Sequence, residues 1–287
     1  MKKVMMMALA AAMMCGCEID TPNVLLNSVN GGGVDTPSKR VTFNVTGDEW
    51  SVVTRSLTAD GQDMSDLWLF DYMDGELVKT LHKSQGDADF DEPTLSMAYG
   101  DHHVYFVASR GKTPTISGSQ IVWAQPSDTF WKDVTVTVGS GSASNMAVVL
   151  NRVATRLRVA VKDQIPDGVA KLCVGPSSWF TGLDYTTGSA VAEQHTAREV
   201  TVPETYIGTT GSLAVSIFGM SDSGEWTSDM DISAKDADGN ILGRVVLDDV
   251  PFLRNRTTEV SGNLFASSRG FSVSLSSEWK DSYTIEW

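Results

Sequence analysis

The sequence predicts an all-β protein, arranged as two tandem antiparallel β-sandwiches behind an export leader and a tether. Short runs alternating apolar and polar residues recur from residue 40 onward, which is the period of a half-buried strand. Gly, Asp, Asn and Pro separate them, and no run sustains the 3.6-residue helical period. In the first half the runs are Val41–Thr46, Trp68–Tyr72, Leu77–Leu81, His103–Ala108, Val134–Val138, Met146–Leu150 and Leu157–Val161. The second and third flank Met73-Asp74-Gly75-Glu76, a hairpin signal. The second half continues with Lys171–Val174, Glu199–Val202, Leu213–Phe218, Met230–Ala234, Ile241–Leu247, Thr257–Val260 and Phe271–Leu275. About seven strands per half is the usual complement of one sandwich. Asp163, Pro166, Asp167 and Gly168 mark the break, which divides the body into domains at 40–163 and 164–287.

The N-terminus has the three parts of a secretory signal. Lys2 and Lys3 are positive, Val4 to Met14 is apolar, and a small residue, Gly16, precedes Cys17. The apolar run falls short of the about 20 residues that cross a bilayer. A small residue before a cysteine is what lipoprotein signal peptidase requires, so cleavage is expected between Gly16 and Cys17, with Cys17 lipidated. Cys15 follows bulky Met14 and fits less well. Acyl chains contribute about 0.8 kcal/mol per buried methylene, enough to hold a chain on a membrane without a transmembrane helix. Residues 1–16 are thus the signal peptide and 17–39 a lipidated tether, flexible around Gly31-Gly32-Gly33. Glu18 and Asp20 resemble the surface-export signal of Bacteroides-group lipoproteins, which implies an outer-membrane protein facing outward.

The formal net charge is −14, and the mature chain is more acidic once Lys2 and Lys3 leave. Such a surface repels phosphate backbones, which excludes nucleic acid as a partner. Cys173 is the one cysteine left in the body; within an apolar run it reads as a small buried hydrophobe rather than a nucleophile.

No catalytic, cofactor or metal motif stands out. Of four histidines, adjacent His102 and His103 would point to opposite faces of a strand and cannot share a metal. His195 reads as a solvated loop residue. Asp236, Asp238 and Asn240 have calcium-loop spacing but lack a distal glutamate, so a hairpin turn is expected. Trp123, Trp131 and Trp179 could serve as sugar-stacking platforms, though core or edge packing is the commoner fate of such residues.

Four stretches, taken in order and spacing, resemble the fimbrillin-associated anchor proteins (minor fimbrium anchors) of type V pili in Bacteroides-group bacteria. They are Arg40–Gly47 with Thr54–Leu57; Asp66–Gly75; Tyr99–Ser109; and Ser127–Trp131 with Leu150–Leu157. The match covers about residues 40–170 well and the rest by strand pattern only. The resemblance implies two transthyretin-like Greek-key sandwiches in a non-catalytic pilus anchor or structural subunit. Its partners would be pilin (fimbrillin) subunits, joined by strand addition, and the outer membrane through the lipid on Cys17. It further implies that an arginine-specific protease, which trims stalk subunits, would find its cut at Arg40 or Arg55, and that an anchor would escape it. The alternating C-terminal run Phe271, Val273, Leu275, Tyr283, Ile285 and Trp287 is then the candidate donor strand; a final strand folded into its own domain is the other reading. A surface glycan- or ligand-binding lipoprotein is the alternative function on the same framework, and a hydrolase the weakest.

Overall fold

The computed structural model describes residues 36–47, 64–111, 114–211, 213–266 and 270–275. Among these residues the chain forms strands and no α-helix. In order they are β1 (Ser38–Gly47), β2 (Asp66–Met73), β3 (Glu76–Ser84), β4 (Thr94–Ala98), β5 (Gly100–Ser109), β6 (Thr115–Ser117), β7 (Gln120–Val122), β8 (Thr129–Val138) and β9 (Asn145–Arg152). There follow β10 (Ala154–Val161), β11 (Lys171–Pro176), β12 (Trp179–Asp184), β13 (Ser189–Gln194), β14 (Arg198–Thr201), β15 (Leu213–Met220), β16 (Trp226–Lys235), β17 (Ile241–Phe252), β18 (Thr257–Asn263) and β19 (Gly270–Leu275).

The first sheet runs β3-β2-β5-β8-β9-β1-β4. Its middle junction is slight: β8 meets β9 only at Phe130↔Arg152 and Trp131↔Asn151. The sheet folds over at that junction, and its two limbs close on one core. Val41, Phe43 and Val45 of β1 pack there with Leu69, Phe106 and Val136 from the other limb, and Phe43 meets Phe106 edge-on at 5.2 Å. The Asp74-Gly75 hairpin forms as expected, with both residues at positive φ (54° and 83°), as a two-residue turn matched to strand twist requires.

The second body pairs an eight-stranded sheet, β19-β18-β10-β15-β12-β7-β6 with β13 on β12, against the four-stranded β14-β11-β16-β17. Leu157, Val159, Val215, Ile232, Phe252 and Val260 sit in the core between them. Most pairs are antiparallel, as expected, but β1–β9 and β10–β18 run parallel.

The expected division at residues 163 and 164 falls between β10 and β11, yet β6, β7 and β10 hydrogen-bond into the second body. Asp163 does not act as a linker residue. Its carboxylate accepts the backbone N–H groups of Leu264, Phe265 and Ala266 at 2.6–3.0 Å, which ties the chain leaving β10 to the chain leaving β18.

β2 and β5 explain how the bodies meet. Leu67 and Leu69 of β2 face the first core, while Trp68 and Phe70, one residue out of phase, are also buried. Side chains on a strand alternate between faces, so two buried sets mean two apolar neighbours. The second neighbour is the β7–β12 region, where Phe70 stacks on Tyr185 with centroids 3.8 Å apart.

Candidate functional site

β1 occupies an internal slot of the first sheet. It pairs antiparallel with β4 from Ser38↔Ala98 to Thr42↔Thr94, and parallel with β9 from Thr42↔Asn145 to Gly47↔Leu150. β4 and β9 do not pair with each other, so among the described residues β1 alone joins β4 to the sheet. Alternation does the positioning: Val41, Phe43 and Val45 are at most 1% exposed, with Thr42, Asn44 and Thr46 between them half-buried. Full burial of each such side chain contributes about 1.5–3 kcal/mol. Without β1 there would remain an apolar slot flanked by two unpaired strand edges, which is the geometry that accepts an added strand.

Arg40 stands exposed on β1, opposite Ser96 of β4. A protease binds its substrate as an extended segment, so the Arg40–Val41 bond is shielded while β1 is paired. Arg55, Gly16, Cys17, Tyr283, Ile285 and Trp287 lie outside the described residues.

The candidate donor residues Phe271, Val273 and Leu275 lie on β19, antiparallel to β18 at Gly262, Val260 and Thr258. β19 is the edge of its sheet, and its side chains are exposed or half-buried, Val273 at 38%. Gly262 permits this pairing: a Cβ there would fall 2.1 Å from the Gly270 carbonyl oxygen.

The remaining expectations place as follows. His102 is buried and His103 half-buried, on opposite faces of β5. His195 is exposed, its Nδ1–H donating to the Ser177 carbonyl at 2.5 Å. Asp236 closes the β16–β17 hairpin, its carboxylate accepting the backbone N–H and the side-chain amide of Asn240, both at 2.8 Å. No group of three or more His, Cys, Asp or Glu suited to a metal occurs among the described residues. Cys173 is buried, which pushes its thiol pKa up. Trp123 and Trp179 are 1% and 4% exposed and are not stacking platforms. Trp131 is partly buried: its indole N–H donates to the Tyr185 carbonyl at 2.8 Å, and its ring lies against Gly188.

Sequence reading missed a buried clasp. Arg152, at the end of β9, donates from Nε and Nη2 to the two oxygens of Asp128 at 2.7 and 3.1 Å, and from Nη1 to Asn255 Oδ1 at 2.9 Å. Its guanidinium lies 4.6 Å from the Phe130 ring centroid. The family-like stretches containing Asp128 and Arg152 meet through this contact, and Asn255 brings in the β17–β18 loop. The only sequence signal was the pair of stretches itself, since no spacing rule links Arg152 to a residue 103 positions away.

The model of a family of unknown function, DUF6562, matches residues 115–286, more than half of the chain and beginning at β6. The chain belongs to the DUF6562 family. No curated protein sequence matches this DUF6562 chain. Among solved structures, a candidate adhesin from Bacteroides ovatus is similar at 8% identity, over 86% of this chain and 97% of that one, with a TM-score of 0.54. A candidate polysaccharide-binding protein (DUF1812) from Bacteroides thetaiotaomicron is similar at 9% identity, over 83% and 97%, with a TM-score of 0.53. At these identities the likeness establishes a shared fold. The fimbrial anchor protein Mfa2 from Porphyromonas gingivalis overlaps at 12% identity, over 86% and 100%, with a TM-score of 0.47, too low to add to it.

Proposed function

We propose that this DUF6562 chain is a non-catalytic, outward-facing outer-membrane lipoprotein. It serves as the anchor or a structural subunit of a type V pilus and joins pilin by strand addition. The observation that carries this reading is β1: an internal strand, with buried alternate side chains, whose two neighbours have no hydrogen bonds to each other. Assembly by strand addition needs such a slot and a strand at an open edge, and β19 lies at one. The fold shared with a candidate adhesin is consistent with work at the cell surface. Lipid on Cys17 would fix the protein to the membrane, and residues 17–39 would hold the sandwiches off it. In this scheme the two sandwiches act as one strut, and residues 276–287 supply the segment that joins a neighbouring subunit.

Deleting residues 276–287 tests the scheme. The body should stay folded and the lipid attached, while pili shear from the cells into the medium. Normal attachment of pili to cells carrying the deletion would rule the donor role out.

A further inference from the structure

A cavity of 1010 Å³ opens between the β7–β8 connection and the second body. Its lining includes Phe218 of β15, Trp123 and Ala124 of the connection, Arg198 of β14 and Arg110 just after β5. The volume suits a ligand of one to three rings, since small-molecule sites run to about 1,000 Å³.

Charge selects the ligand. The chain is strongly acidic, yet this cavity is lined by two guanidiniums. Arg198 is half-buried, and its Nη2 donates to the Ala124 carbonyl at 3.0 Å, which fixes it against the connection. Burial lowers its pKa from the ordinary value. Arg198 forms no salt bridge among the described residues. Neighbouring Glu199 does not neutralise it: that carboxylate is taken by Lys171 and Lys235, each at 2.9 Å. Arg110 holds its guanidinium carbon 5.8 Å from the Phe218 ring centroid, also at the cavity. A partly desolvated cation without a counter-charge is costly, and an anion arriving from outside removes that cost.

Geometry narrows the class. A guanidinium fork matches a carboxylate with two parallel hydrogen bonds. Phe218 supplies an apolar wall, while the rim carries the amide of Gln194 and the hydroxyl of Thr196, groups that pair with sugar hydroxyls. An acyl chain would find no use for that rim. We propose that this cavity binds an acidic saccharide, with Arg198 receiving its carboxylate. The reading is independent of pilus assembly, because neither β1 nor β19 lines the cavity.

Calorimetric titration of the purified intact protein in detergent tests it, using hexuronate di- and trisaccharides as probes and neutral hexose oligomers, acetate and sulfate as controls. The acidic saccharides should bind, and Arg198→Gln should weaken them by about tenfold or more, the worth of a charge-assisted hydrogen bond. Arg198→Lys keeps the charge, loses the fork and should weaken them less, which guards against misfolding of the first variant, with urea midpoints measured for both. Three results overturn the proposal: neutral oligomers binding as tightly, acetate or sulfate alone binding as tightly, or no saccharide binding at all.

Discussion

Asp71 and His102 form a buried pair whose chemistry follows from counting protons. His102 Nε2 lies 2.9 Å from the Ala98 carbonyl oxygen, which can only accept, so Nε2 carries a hydrogen. Its Nδ1 lies 2.7 Å from Asp71 Oδ1, and a second hydrogen must sit on that axis. The side chains are 2% and 1% exposed, so the pair holds that proton away from water. Burial raises the Asp71 carboxyl above the usual 3.8, outweighing the His102 hydrogen bond that lowers it. A group that binds its proton more tightly when folded stabilises the fold fully below its unfolded pKa, and that stabilisation drains as pH rises through the folded value. Asp71→Asn keeps a donor for Nδ1 and removes the titration. Urea unfolding between pH 4 and 8 should show a flatter stability curve for the variant. An unchanged slope would mean that this proton is not held by the pair. The sequence showed that the two adjacent histidines part company across the strand. It could not show the partner, because which residue of β2 lies beside His102 depends on the register of β2 against β5, and alternation alone does not set that register.

Elements were legible where alternation was clean and hidden where glycine or short length blurred it. The eleven runs named from the sequence after Leu81 each fall on or overlap a strand. β6 and β7 were missed because three residues carry no period, and β12 because Gly182 interrupts it. Gly182 is needed there: a Cβ would fall 2.9 Å from the Ile121 carbonyl oxygen, where β7 pairs. Parallel pairing of β1 with β9 was invisible, since alternation reads the same for either neighbour direction. The Arg152 clasp joins three of these elements, and its value lies in what is left behind when one partner goes. Arg152→Met takes a bidentate guanidinium from the Asp128 carboxylate, which is 0% exposed, and should cost about 3–5 kcal/mol in urea unfolding. Adding Asp128→Leu should recover part of that loss, because a buried charge pair replaced by apolar groups is often near neutral. No recovery would assign the cost to packing against Phe130 instead.

Across the whole molecule, the two bodies of sheet share one apolar seam rather than hanging from a linker. Trp68, Phe70, Tyr105 and Val107 from the first body meet Ile121, Leu183 and Tyr185 from the β7–β12 region. This explains why β2 and β5 read as near-continuous apolar runs, and why a break near residue 163 looked plausible from turn residues alone. Asp163 is a polar residue used inside the fold, a distinction that composition cannot make. Under the proposed function, a lipid on Cys17 and a strand at the β19 sheet edge would make this acidic body a load-bearing join between membrane and polymer. The measurement closest to that claim is recovery of the protein from surface extracts under mild detergent, followed by mass spectrometry of its N-terminus and denaturing gels of what accompanies it. The account predicts SDS-resistant pilin polymers together with a lipid-modified Cys17. Recovery of the protein alone, with no polymer attached, would contradict it.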